Sequence, residues 1–284
     1  MERECFLSIL VALLGGTMLL ACGWLPAHNG GGGSARHLER LRWRHIWLPL
    51  VPAFIVAAWL CGWALAEPDP TPEKASILLI LASVPFALLL FGRAAIRAVW
   101  SLVRDEDEVV TATVGLLRPW ILFSPYLAKA LDDSTIEAAL EHERAHARHR
   151  DPLRIWLAQL ATDLQWPWPQ AQKRFGLWIL ALELARDEEA RASGVDGSDL
   201  ATAILASARL GRQAILPANA ALIGDPSTLK ERVSRLLEPL QLEPPRTHTV
   251  TWTVAVVIPV LLGAIGLGSV FGEQIVRTLL RLSA

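Results

Sequence analysis

His142-Glu143-Arg144-Ala145-His146 leaves the chain around it little conformational choice. Histidines at i and i+4 share a face when the backbone is α-helical, and there they can close two corners of a tetrahedral zinc site. The glutamate between them points toward the neighbouring open coordination position, where a water would sit. Zinc acidifies such a water and a carboxylate can take its proton, which is the chemistry of a neutral-pH hydrolase. Zinc ligation by His142 and His146, with Glu143 as general base, is the reading that this spacing carries.

Composition sets the setting for that helix. The chain has 284 residues, 52% hydrophobic and 19% charged, with a mean hydropathy of +0.35. Soluble domains carry more charge than this, so a polytopic membrane protein is expected. A formal net charge of -1 with no basic tract argues against direct nucleic acid binding. Cys5, Cys22 and Cys61 all fall in apolar stretches without a CxxC pair, so they imply neither a disulfide framework nor a cysteine metal site.

Residues 5–25, 46–66, 75–92 and 250–272 are each apolar over about the 20 residues a bilayer-spanning helix needs. The first is longer than a signal-peptide core and is diluted by Glu2 and Glu4, so it reads as a retained span. Trp24, Trp47, Trp63, Trp100 and Trp252 lie near the ends of these stretches, as an interfacial aromatic belt would. Arg36, Arg40, Arg42 and Arg44 fill the first connection, whereas the second, residues 67–74, is short and acidic. The positive-inside rule puts the first connection in the cytoplasm, with both termini outside. The expected organisation is a transmembrane region over 1–100, a cytoplasmic zinc metallopeptidase domain over 101–249, a fourth span at 250–272 and a short tail at 273–284. The bilayer is a partner by this reading, and the location is a bacterial inner membrane.

Within the cytoplasmic domain, residues 109–114 and 120–123 are rich in β-branched and aromatic residues around Gly115 and Pro119, which predicts a small strand pair. Ser134-x-x-Glu137 reads as a capping box opening the first catalytic helix, which should run to about Arg150. Asp151-Pro152 then reads as an aspartate N-cap with proline at the first position of a helix ending near Gln165. Trp166-Pro167-Trp168-Pro169 breaks the chain, and a further helix spans roughly 170–192. The fold class is therefore mainly α: four transmembrane helices and a helical metallopeptidase domain with a small β element. The four-glycine run within residues 29–34 reads as a flexible loop.

A catalytic zinc takes three protein ligands and keeps one position open. His149 lies about 300° round the helix from His146, too far to share one ion without strain, and reads as a surface residue. His28, His37, His45 and His248 fall in loops or at membrane boundaries. Glu183 is the better third ligand. It lies with Asp187 at i and i+4 on the helix after the Trp-Pro break, and an apolar run over 177–182 precedes it. One face thus offers a carboxylate for the metal and another to hold the spare N–H of a ligand histidine. Glu188 and Glu189 are the fallback ligands, since a small register shift would bring one of them in.

The stretch from Val114 to Leu122, the segment Ala139-Leu140-Glu141-His142-Glu143-Arg144-Ala145-His146, the run Arg150-Asp151-Pro152-Leu153 and the helix carrying Glu183, Asp187 and Ala190 together resemble the BlaR/MecR-type antirepressor metallopeptidases. The similarity covers roughly residues 75–240, and the HExxH…ExxxD pair is shared with HtpX-like membrane peptidases. The resemblance implies a gluzincin-type integral-membrane endopeptidase holding one zinc per chain. Its substrate would be a protein or peptide, with a winged-helix transcriptional repressor as the implied target. In such relatives an external penicillin-binding domain senses β-lactams. None is expected here, because the chain ends about a dozen residues after the fourth span. Two other functions fit the same residues: a quality-control protease of the HtpX type, and a non-catalytic transducer with a structural zinc, which an intact Glu143 disfavours. Val114, Gly115 and Leu116 are candidates for aligning an extended substrate by edge pairing. For stabilising the oxyanion, Arg118, Arg186 and Tyr126 stand level.

Overall fold

The computed structural model describes residues 34–52, 54–55, 58–59, 62, 88–89, 92–93, 95–96, 111–166, 168–211, 226–239, 260–271, 274, 278 and 281. The chain divides into two compact units. One comprises 1–26, 47–90 and 244–284, and the other 27–46 and 91–243. The span read at 5–25 lies outside the described residues, and those at 46–66, 75–92 and 250–272 are described in part. No helix among the described residues is long and apolar enough to cross a membrane.

In the first unit a 3-10 turn, Leu48–Leu50, opens a helical stretch. A Cβ on Gly62 would sit 2.0 Å from the carbonyl oxygen of Ile265, so the two backbones touch there and no larger side chain fits. Helical residues 260–271 expose Val260, Leu262, Leu267, Val270 and Phe271.

The second unit holds the motif. Its elements are α1 (Ala35–Trp47, which runs one residue beyond the unit), β1 (Thr111–Val114), β2 (Trp120–Phe123), α2 (Pro125–Ala130), α3 (Asp133–Arg148), α4 (Asp151–Leu164), α5 (Pro169–Ala192), α6 (Gly197–Gly211) and α7 (Pro226–Leu237). The expected mainly helical domain and its strand pair are both present. β1 and β2 pair antiparallel, with Thr111 opposite Phe123 and Val114 opposite Trp120. Gly115 closes this hairpin at φ +92, where a Cβ would lie 2.5 Å from the Trp120 ring. A left-handed backbone under an indole leaves room for glycine alone.

Helix starts differ from the sequence reading at α3 and α4, the two that bear on the motif. The residue capping α3 is Asp132, whose carboxylate accepts the Thr135 N–H at 2.9 Å, so the Ser134…Glu137 box is not used. α4 is entered through Arg150 at φ 52, and Asp151 is its first helical residue rather than its cap. A non-glycine residue in the left-handed region is uncommon and marks a sharp reversal. Only His149 and Arg150 separate the end of α3 from the start of α4.

The core is built on α5. Phe175, Trp178, Leu182, Leu184 and Ala185 are almost fully buried, and Trp178 stacks at a tilt on Trp43 of α1 with ring centroids 5.0 Å apart. A second cluster, Ala138, Ala190, Leu200, Ala201 and Leu236, joins α3, α5, α6 and α7 through small side chains. Small residues let these helices approach closely, and that brings the polar faces of α3, α5 and α7 onto one point. α1 is a helix the sequence reading did not foresee, since it took the arginine-rich connection as an orientation signal alone.

Candidate metal centre

α3 turns two faces to different surroundings. Glu137, Glu141, Arg144 and Arg148 form ion pairs on its outer side, while His142, Glu143 and His146 are buried. The Nε2 atoms of His142 and His146 lie 3.1 Å apart. From α5, Glu183 reaches both, with Oε2 3.4 Å from His142 Nε2 and Oε1 3.7 Å from His146 Nε2. Among the described residues these three form the cluster able to hold a metal ion. A tetrahedral ion with bonds of about 2.0–2.1 Å needs donors roughly 3.3–3.4 Å apart. The three separations bracket that spacing, so the donor set fits zinc.

The opposite ring nitrogens are also spoken for. His142 Nδ1 lies 2.9 Å from Asp187 Oδ1, bent away from an aligned hydrogen bond. His146 Nδ1 lies 2.9 Å from Asp151 Oδ2. A carboxylate accepts and cannot donate, so each Nδ1 is held as the N–H, and once the rings are neutral each Nε2 lone pair faces the cluster. Asp187 thus sits where the sequence reading put it. Asp151 had been read as a cap; the reversal at Arg150 instead swings it back onto His146, five residues earlier.

Arg232 on α7 is the second residue that sequence reasoning missed. Its Nε and one terminal nitrogen donate to the two oxygens of Asp187 at 2.9 and 2.8 Å. Its other terminal nitrogen lies 3.0 Å from Glu183 Oε2. One buried fork therefore fixes both carboxylates of the α5 face. Arg232 looks like any charged residue of an amphipathic helix, and no local spacing marks it.

The remaining candidates fall elsewhere. His149 is exposed and pairs with Glu189 at 2.8 Å. Glu188 instead accepts the Ala35 N–H of α1, so neither fallback glutamate joins the cluster. Arg186 is buried on Asp151, through Nε to Oδ2 and a terminal nitrogen to Oδ1 at 3.0 Å, which removes it from the oxyanion candidates. Arg118 and Tyr126 are exposed. Val114 is buried, Gly115 turns the hairpin and Leu116 is half-buried. β1 nevertheless borders the site, because the Thr113 hydroxyl lies 2.7 Å from Glu143 Oε2 and 2.9 Å from the Glu143 carbonyl oxygen.

Burial by itself would lower the His146 pKa, but the charge of Glu183 and the Asp151 contact outweigh it and push it up to about 10. His142 is raised too, with Asp187 and Glu183 overcoming burial. Burial would raise Glu183, yet Arg232 and His146 hold it well below the usual carboxylate range. In the metal-free protein the His146 ion pairing contributes stability in full below about pH 6.5 and loses it as pH rises through about 10. Metal binding needs neutral imidazoles and so runs the other way. Apparent zinc affinity should rise with pH across the neutral range, and each ion should displace about one to two protons at pH 7. Calorimetry in two buffers of different ionisation heat measures that release; none at pH 7 would contradict a protonated resting site.

A buried glutamate beside a histidine–histidine–glutamate cluster on packed helices is the set of groups a metal-dependent hydrolase would use. Residues 106–236 match the family model described as BlaR1 peptidase M56, so this part of the chain is similar to the BlaR1-type peptidases. No curated protein and no solved structure matches the chain.

Proposed function

We propose that this chain is an integral-membrane zinc endopeptidase that relays a signal by cleaving a cytoplasmic transcriptional repressor. The observation that carries the enzymatic part is the convergence of His142 Nε2, His146 Nε2 and Glu183 beside Glu143 in a domain similar to the BlaR1-type peptidases. His142, His146 and Glu183 would hold the ion. When bound, zinc supplies an acidified water and polarises the scissile carbonyl. Glu143 accepts the proton of the attacking water and returns it to the leaving amine. The Thr113 hydroxyl aims the Glu143 carboxylate, Asp187 and Asp151 keep the imidazoles as their Nδ1–H tautomers, and Arg232 fixes Glu183. β1, whose Thr113 touches the base, is the edge along which an extended peptide would pair.

The membrane setting rests on the four apolar stretches and on the apolar side chains that residues 260–271 expose, for which lipid is the fitting solvent. The orientation draws support from α1. It carries the arginines of the first connection and belongs to the same compact unit as the HExxH helix, so both lie on one side of any bilayer. Cysteine labelling in intact cells, with the native cysteines replaced, tests this. Probes at Ser34 and Ser198 should resist an impermeant reagent and one at Thr71 should react; a labelled Ser198 would put the site outside and remove a cytoplasmic repressor as substrate.

Comparing new protein N-termini between cells with the wild-type chain and cells with Glu143→Gln tests the substrate. A cut in one DNA-binding regulator supports the proposal. A broad set of damaged membrane proteins would replace it with quality control.

A further inference from the structure

Four sets of contacts are among those that tie α1 to the catalytic unit. Glu188 accepts the Ala35 N–H at 2.8 Å and the Ser34 hydroxyl at 3.3 Å. Arg42 donates to the Leu177 carbonyl at 2.7 Å. Trp43 packs on Trp178. Finally, the buried Glu39 pairs with Arg154 of α4. The first two attach the helix, and Trp43 also lies with its ring centre 5.2 Å from the Arg154 guanidinium. The fourth continues inward: Arg154 also donates to Asp151 Oδ1 at 2.9 Å, and Asp151 Oδ2 holds His146 Nδ1 at 2.9 Å.

The charges along this path explain why Glu39 matters. Asp151 is fully buried and faces two guanidinium groups, those of Arg154 and Arg186. Two cations on one carboxylate weaken its hold on the His146 N–H unless other anions share them. Glu189 lies 3.5 Å from Arg186, but it is also engaged by His149, Arg148 and Arg36. Glu39 is the anion that shares Arg154. We propose that Glu39 is a positioning residue for the metal centre, acting through Arg154 and Asp151 on His146, so that the Glu39–Arg154 contact, rather than docking of α1 in general, tunes the metal affinity. The inference rests on the metal-centre reading given above.

The test uses the full chain in detergent, titrated with zinc against a chelator and with cobalt(II) followed by its visible spectrum. Glu39→Gln keeps the size and can still accept a hydrogen bond, but it removes the charge. It should lower zinc affinity about threefold to tenfold, less than the roughly tenfold to hundredfold typical of a direct partner of a ligand histidine, and shift the cobalt band. Arg42→Gln, which loosens docking away from this path, should leave both as in the wild type. Adding Arg154→Gln to Glu39→Gln removes the uncompensated cation and should restore most of the affinity; this arm separates charge relay from mere damage. Wild-type behaviour of Glu39→Gln, equal losses in Glu39→Gln and Arg42→Gln, or no recovery in the double variant would each overturn the inference and leave the metal centre standing. A wild-type chain that binds neither ion would remove the metal-centre reading, and this inference with it.

Discussion

Glu143→Gln should retain zinc and lose about a hundredfold to ten-thousandfold in peptide hydrolysis, the range a positioned general base contributes. The amide keeps the side chain's size and can still accept a hydrogen bond from Thr113, which lies 2.7 Å from Glu143 Oε2. What it cannot do is accept the proton of the attacking water. Glu143 is not among the three residues of the metal cluster, so the ion should stay. Elemental analysis paired with a peptide-cleavage assay reads both properties from one preparation. Turnover at the wild-type rate would remove Glu143 from the mechanism and leave the buried carboxylate without a role.

Glu183→Ala should cost more than about a hundredfold in zinc affinity, beyond the loss expected for a residue that only orients a ligand. His149→Ala should change it little. The contrast follows from geometry: Glu183 faces both Nε2 atoms, while His149 is exposed at the end of α3 and pairs with Glu189. Glu183→Ala also leaves Arg232 with Asp187 as its one remaining carboxylate partner at the site, so part of the loss will come from rearrangement of that fork. Glu183→Gln separates the effects, because it keeps an oxygen donor in place while removing the charge. A zinc site that survives Glu183→Ala and is lost in His149→Ala would show the ligand set to be wrong.

Which parts of this centre are legible in the sequence follows from the range of the interactions. His142, Glu143 and His146 form one turn of one helix, and Glu183 with Asp187 forms one turn of another, so fixed helical spacing exposes both pairs. The hairpin announces itself through β-branched runs either side of Gly115 and Pro119. Asp151 misleads because Asp-Pro is a common helix opening; its role depends on the left-handed turn at Arg150, which no residue preference foretells. Arg232 comes from a helix 45 residues beyond the carboxylate it grips, and such pairing leaves no periodic trace. α1 is hidden for a similar reason. Its arginines serve as an orientation signal in the sequence, and its docking rests on Glu39, Arg42 and Trp43 meeting partners more than a hundred residues away.

Zinc K-edge X-ray absorption on the full-length chain, purified in detergent with its native metal, tests the central claim most directly. The account predicts one zinc per chain with two imidazoles and oxygen donors at about 2.0–2.1 Å. A sulfur shell near 2.3 Å, which would bring in Cys5, Cys22 or Cys61, or a chain that carries no stoichiometric zinc, would contradict it.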